Sequence, residues 1–161
     1  MAHLTRVKKI AKSYGLDWRV VGAMVSQESA GNQYAVRYEP RFFARYLEGK
    51  SKAQLRGYWP SPIPTFDTEL RLRATSLGLM QVMGQTAREV GFDGQYLTEL
   101  TDPSVSLECG CSYLRKMLDR AERKGIVGSS AQRYALTRYN GSAHYPDLIY
   151  ARIDSGAYKE I

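Results

Sequence analysis

Cysteine and histidine are nearly missing from this sequence, with two of each in 161 residues. Cys109 and Cys111 stand two apart in what reads as a helix, a spacing that turns them to different sides and argues against a mutual disulfide. They read instead as small buried side chains. His3 and His144 lie far from them and from each other, so no metal cluster can be assembled. Long apolar runs are missing too. The longest, Val20 to Val25, is six residues, against the ~20 of a membrane-spanning helix. No integral membrane segment is therefore expected. The opening stretch MAHLTRVKKIAKSYG is charged every few residues and has no apolar block, so neither a signal peptide nor an anchor is expected.

A tract of one charge is also lacking. The net charge of +7, from 23 basic against 16 acidic residues, is scattered along the chain. It permits nucleic acid, an anionic membrane or a polyanionic wall polymer as partner. No nucleic-acid signature accompanies it, so nucleic acid is not expected. What is present is ordinary for a folded protein: 43% hydrophobic and 24% charged residues exclude disorder. The length suits one domain, residues 1 to 161, with a substantial core.

The periodicity is mostly helical. Leu4, Val7, Ile10 and Ala11 mark a helix that stops at Gly15, and Asp17 caps a second that ends near Gly31. Between 40 and 72, Pro40, Pro60, Pro62 and Pro64 with Gly49 and Gly57 break any long element. Short helices at 41–48 and 51–57 followed by a loop or small hairpin are expected there. Leu79, Val82, Met83, Ala87 and Val90 predict a helix over 79–90 that ends at Gly91, with Met80 and Gln81 off its inward stripe. Asp102-Pro103 opens the longest helix, striped by Leu107, Cys111, Leu114, Leu118 and Ala121. Ser129 with Gln132 reads as a capping box for a helix that ends at Asn140-Gly141, and a weaker helix follows over 145–158. There is no internal repeat and no low-complexity linker. The fold class is mainly α.

One residue disturbs this pattern. In VVGAMVSQESAGN the apolar stripe of Val20, Val21, Met24 and Val25 continues to Glu28. Partial burial and a place at the negative end of the helix dipole both favour the protonated carboxyl, as a general acid requires. A solvated glutamate at a frayed end, or one neutralised by a buried arginine, fits the spacing as well.

Further stretches bear on Glu28. Glu28-Ser29-Ala30-Gly31-Asn32, Gly78-Leu79-Met80-Gln81, Tyr139-Asn140-Gly141 and a following Tyr145 occur in this order, with Gly110, Tyr113 and Leu114 on the long helix. Together they resemble the lytic transglycosylases of the soluble-lytic-transglycosylase type, in the lysozyme-like superfamily, over roughly residues 10 to 155. The chain departs from that pattern at Gly84, where proline is common, and at Ala74, where serine is common. The segment between Asn32 and Ala74 is longer than in compact members. Its Arg37-Tyr38-Glu39-Pro40-Arg41-Phe42-Phe43 is similar to a stretch of phage-type peptidoglycan hydrolases.

The resemblance implies a lysozyme-like fold of the goose-type kind, with a small β-hairpin or irregular insertion around 57–75. It implies a peptidoglycan-cleaving enzyme, a phage endolysin or virion lysin, with Glu28 as catalytic acid. Gln81, Asn140, Tyr139 and Tyr145 would line the cleft, Met80 and Tyr139 would face sugars, and Ser76 could orient Glu28 or the substrate acetamide. No metal or organic cofactor is implied, and the partner is the glycan strand of peptidoglycan. The protein would act as a monomer, made in the host cytoplasm and brought to the wall by holin-type release or in a virion. If Glu39 or Asp67 faced Glu28, the enzyme would be a true lysozyme; for Glu39 the plainer role is a salt bridge to Arg37 or Arg41. A glycan-binding module without activity is the third alternative.

Overall fold

The computed structural model describes residues 3–62 and 65–161; Pro64, one of the four prolines among the expected breaks, lies outside the described residues. The first two helices, α1 (Leu4–Ser13) and α2 (Trp18–Ser29), form where the periodicity places them. Asp17 caps α2 by accepting from Arg19 N at 2.9 Å. Strand β1 (Val36–Tyr38) leads to a three-residue helix α3 (Pro40–Phe42), a π-type turn at Phe43–Leu47 and a 3₁₀ turn at Lys52–Gln54.

The loop or irregular insertion expected around 57–75 holds over 57–62 but not up to 75. Residues Phe66–Arg73 form a helix, α4, which Thr65 caps by accepting from Thr68 N at 3.0 Å. The hairpin comes just after it, as β2 (Thr75–Leu77) and β3 (Val82–Met83). Strand β2 is central in an antiparallel sheet of order β1-β2-β3. The expected helix over 79–90 is likewise shorter. Gly78 to Gln81 form the four-residue hairpin loop, and α5 covers only Gly84–Glu89. Gly78 at φ 74 and Gln81 at φ 46 both lie in the left-handed region, which no helix tolerates.

The long helix α6 (Pro103–Glu122) starts as the sequence indicates, with Asp102 accepting from Ser104 N and Val105 N. Helix α7 (Gly128–Asn140) ends at Gly141, but no side chain caps its start, so the Ser129–Gln132 capping box does not form. Helix α8 (Tyr145–Ser155) and a 3₁₀ turn at Ala157–Lys159 close the chain.

Helices α1, α2, α6, α7 and α8 enclose the main core, which includes Val21, Met24, Met80, Leu107, Leu114 and Ile149. Cys109 and Cys111 are free and buried in it, and burial pushes both thiols up to about 12. A smaller core of Phe43, Leu47, Leu70 and Ala74, with Trp59 against it, lies under the inserted segment. The insert is fastened by a buried ionic group. Glu69 binds both Arg73 (3.1 Å) and Arg88 (2.9 Å), and Arg73 donates onward to the carbonyls of Arg56 and Tyr58. These buried charges are tolerable because partners meet their donors. The result is a mainly α, lysozyme-like fold with a small sheet on one side.

Candidate active site

Helix α2 brings Glu28 to a cleft. Val20, Val21, Met24 and Val25 are buried below it, and Ser29 ends the helix with Ala30 left-handed at φ 51. Glu28 therefore sits in the last helical turn, half-buried at the cleft wall. The cleft holds about 200 Å³ and is lined by Glu28, Arg37, Glu39, Phe42, Ser76, Gln81, Val82, Met83, Thr86, Tyr113, Tyr139 and Asn140.

The hairpin loop at 78–81 is the hub that joins the separate stretches. Gln81 Nε2 donates to the carbonyls of Gly78 (3.0 Å) and Ala35 (2.9 Å). Ser29 Oγ donates to Leu79 O at 2.8 Å, and Tyr139 Oη donates to Met80 O at 2.9 Å. Met80 N donates to Ser106 Oγ at 3.2 Å. Side chains from α2 and α7 and from the loop itself thus satisfy three successive carbonyls. Gly78 and Gly110 make the approach possible. A Cβ on Gly78 would lie 2.0 Å from Leu100 O, and one on Gly110 would lie 2.4 Å from Met80 Sδ.

The sheet supplies another wall. Arg37 pairs with Ser76, and Ser76 with Met83, so the three side chains form one cross-strand row facing the cleft. Glu39, two residues after Arg37, falls on the same side by strand alternation. Its Oε1 lies 2.5 Å from Arg37 Nε.

Burial, the largest influence, raises the Glu28 pKa above the ordinary carboxylate range. Tyr145, the positive charge of Arg37 and the Asn140 amide act in the opposite sense but do not cancel it. Glu28 Oε1 and Tyr145 Oη are buried with no hydrogen bond of good geometry. Burial and the Glu28 charge also raise the Tyr145 phenol, so it stays protonated and able to donate to that carboxyl. An acid kept protonated by burial, with its residue in the cleft lining, can deliver a proton to a bound leaving group.

Of the residues expected from sequence, Glu28, Glu39, Ser76, Gln81, Tyr139 and Asn140 meet in the cleft. Three expectations are corrected. Met80 is fully buried and packs on Gly110, so it supports the loop and cannot face a sugar. Tyr145 is 2% exposed and reaches Glu28 from behind the cleft surface. Asp67 lies in the first turn of α4, where it faces Arg71 at 3.6 Å and is absent from the cleft lining. Phe42, Val82, Met83, Thr86 and Tyr113 also line the cleft. Strand alternation from Glu39 could have indicated Arg37; nothing local pointed to Thr86. Among the described residues no group of three or more His, Cys, Asp or Glu is arranged to hold a metal.

An acidic group at the end of a core helix, a tied hairpin loop and a sheet wall define a lysozyme-like cleft. Residues 6–144 match the family model for the transglycosylase SLT domain, and the chain belongs to that family. It is 30% identical over 148 residues to the membrane-bound lytic murein transglycosylase C of Actinobacillus pleuropneumoniae serotype 5b (strain L20), covering 88% of this chain and 31% of that protein. The Sodalis glossinidius (strain morsitans) protein of the same name is 29% identical over 164 residues, covering 99% of this chain and 36% of that protein. The chain thus spans about a third of the length of these relatives. No solved structure matches.

Proposed function

We propose that this chain is a peptidoglycan lytic transglycosylase that cleaves the β-1,4 bond between N-acetylmuramic acid and N-acetylglucosamine. Glu28 protonates the glycosidic oxygen as positive charge develops on the muramic sugar. Glu28, now a carboxylate, takes the proton from that sugar's C6 hydroxyl. The hydroxyl oxygen attacks C1, closing a 1,6-anhydro ring while the glucosamine leaves as an alcohol. No water is consumed, and the acid is restored. Ser76 and Asn140 offer polar contacts to the sugars, and Tyr139 and Tyr113 offer ring surface.

The observation that carries this reading is the state of the two cleft carboxylates. Each has one buried oxygen without a hydrogen bond, but Glu39 is ion-paired with Arg37 at 2.5 Å, whereas no ion pair holds Glu28 among the described residues and burial raises its pKa. A hydrolase normally needs a second carboxylate to direct water or attack the sugar, and Glu39 is engaged elsewhere. Mass spectrometry of digested cell wall is the test. Products should end in 1,6-anhydro-muramic acid, lighter by one water than reducing ends. Reducing ends, with activity abolished by Glu39→Gln, would make the protein a lysozyme instead.

The stretch Arg37 to Phe43 and the basic surface support a role as a phage endolysin or virion lysin. In that role the chain acts as a monomer, as one catalytic domain, on the wall after holin-type release from the cytoplasm or delivery in a virion. The relatives are named as membrane-bound, whereas no described helix here is long and apolar enough to cross a membrane.

A further inference from the structure

Beside the cleft, a second groove of about 320 Å³ opens on the inserted segment. Phe42 is the wall common to both, and Tyr46, Gln54, Leu55, Arg56 and Glu89 form much of the rest. We propose that this groove is an outlying sugar subsite, taking residues of the same glycan strand beyond those at the scissile bond. The proposal rests on the glycan-cleaving reading of the cleft.

Continuity identifies the occupant. Phe42 borders both spaces, so a strand seated over Glu28 and leaving past Phe42 reaches this groove next. The lining suits a sugar, which has an apolar face of C–H groups and a rim of hydroxyls. Tyr46 leaves 48% of its surface in solvent, and its ring stands 4.9 Å from that of Phe42, tilted at 46°. Gln54, Arg56 and Glu89 place an amide, a cation and an anion around these rings. Arg56 and Glu89 balance each other, so the lining does not select for the carboxylates of a peptide stem.

The groove is also built beforehand. Leu47, on its floor, is buried in the small core under the insert. The Arg56 carbonyl accepts from Arg73 Nη1 at 2.8 Å and from Gln85 Nε2 at 3.0 Å, and Gln85 Nε2 also donates to Glu89 Oε1 at 2.8 Å. Binding there orders little that is not already fixed, which favours affinity.

The test compares two substrates, long glycan strands stripped of peptide stems and a tetrasaccharide of the same repeat. Tyr46→Ala should raise KM on the long strands about 5-fold more than on the tetrasaccharide, the loss of about 1 kcal/mol of ring contact. Tyr46→Phe should restore most of it, and Gln54→Ala should show a smaller loss in the same direction. Equal losses on both substrates would assign Tyr46 to structure and overturn the proposal. So would unchanged kinetics on both, or a loss confined to stem-bearing strands. Glu28→Gln provides the separate control. If it remains active, the reading of the cleft has failed; if it is inactive while Tyr46→Ala behaves as wild type, only the outlying subsite is lost.

Discussion

Ser29 Oγ donates to the carbonyl of Leu79 across 2.8 Å, joining positions fifty residues apart. The bond fastens the end of α2, one residue past Glu28, to the hairpin loop of Gly78 to Gln81. Ser29→Ala should lower stability by about 1 kcal/mol, the ordinary worth of one such bond. Activity should fall further than stability, with the loss in kcat, because the acid is aimed through that joint. Thermal melting and steady-state kinetics on the same samples check both parts.

Glu28→Gln keeps the side-chain shape and removes the transferable proton. Clearing of purified peptidoglycan should fall by about 100-fold or more while the fold survives. The stability effect has a definite sign. A carboxyl whose pKa is raised on folding contributes stability below its unfolded value, and this is lost as pH rises through the folded value. The glutamine variant does not titrate, so its melting temperature relative to wild type should climb from acidic to alkaline pH. A difference that does not change with pH would contradict burial as the cause of the shift.

Arg37 is paired with Glu39, and its charge also lowers the pKa of Glu28. Removing it by Arg37→Ala should raise that pKa further and carry the alkaline limb of the pH–rate profile to higher pH. Glu39→Gln frees the Arg37 charge to act on Glu28 and should move the limb the other way, with only a modest loss of rate under the transglycosylase reading. Profiles measured at two salt concentrations should show smaller displacements at the higher one.

Gly78→Ala should be the most damaging small substitution in the loop. At φ 74 and with Leu100 O 2.0 Å from the new Cβ, the side chain has both the wrong backbone and no room. A loss of about 2–5 kcal/mol is expected, read from denaturant midpoints. Gly141→Ala, also at positive φ but with open space around it, should lose less.

Where chemistry was local, the sequence was readable. Asp17 and Asp102 announced helix starts because their caps are made within three residues. Glu28 stood out because a carboxyl interrupted an apolar stripe. The hairpin loop was misread because Leu79, Val82, Met83 and Ala87 repeat at helical spacing, yet Leu79, Val82 and Ala87 are buried from several directions at once while Met83 lines the cleft. Met80 followed the same error, since the space that accepts it is made by Gly110 on a distant helix. Helix α4 was hidden by the prolines before it, although Thr65 and Thr68 carry its cap. The Arg152 contacts to Gln27 (2.6 Å) and Ser26 (3.0 Å), which brace α2 from α8, have no local signal at all.

The buried group of Glu69, Arg73 and Arg88 has a consequence for modularity. Because Arg73 spends its donors on the carbonyls of Arg56 and Tyr58, the inserted segment cannot be trimmed or exchanged as a free loop. A shortened chain would leave a guanidinium sealed in the interior with unmet N–H groups, at a cost comparable to a broken buried ion pair. A transplant of residues 40–59 into a compact relative would need a guanidinium at the position of Arg73 to hold it. Loop and helix α4 are in this sense a single heritable part.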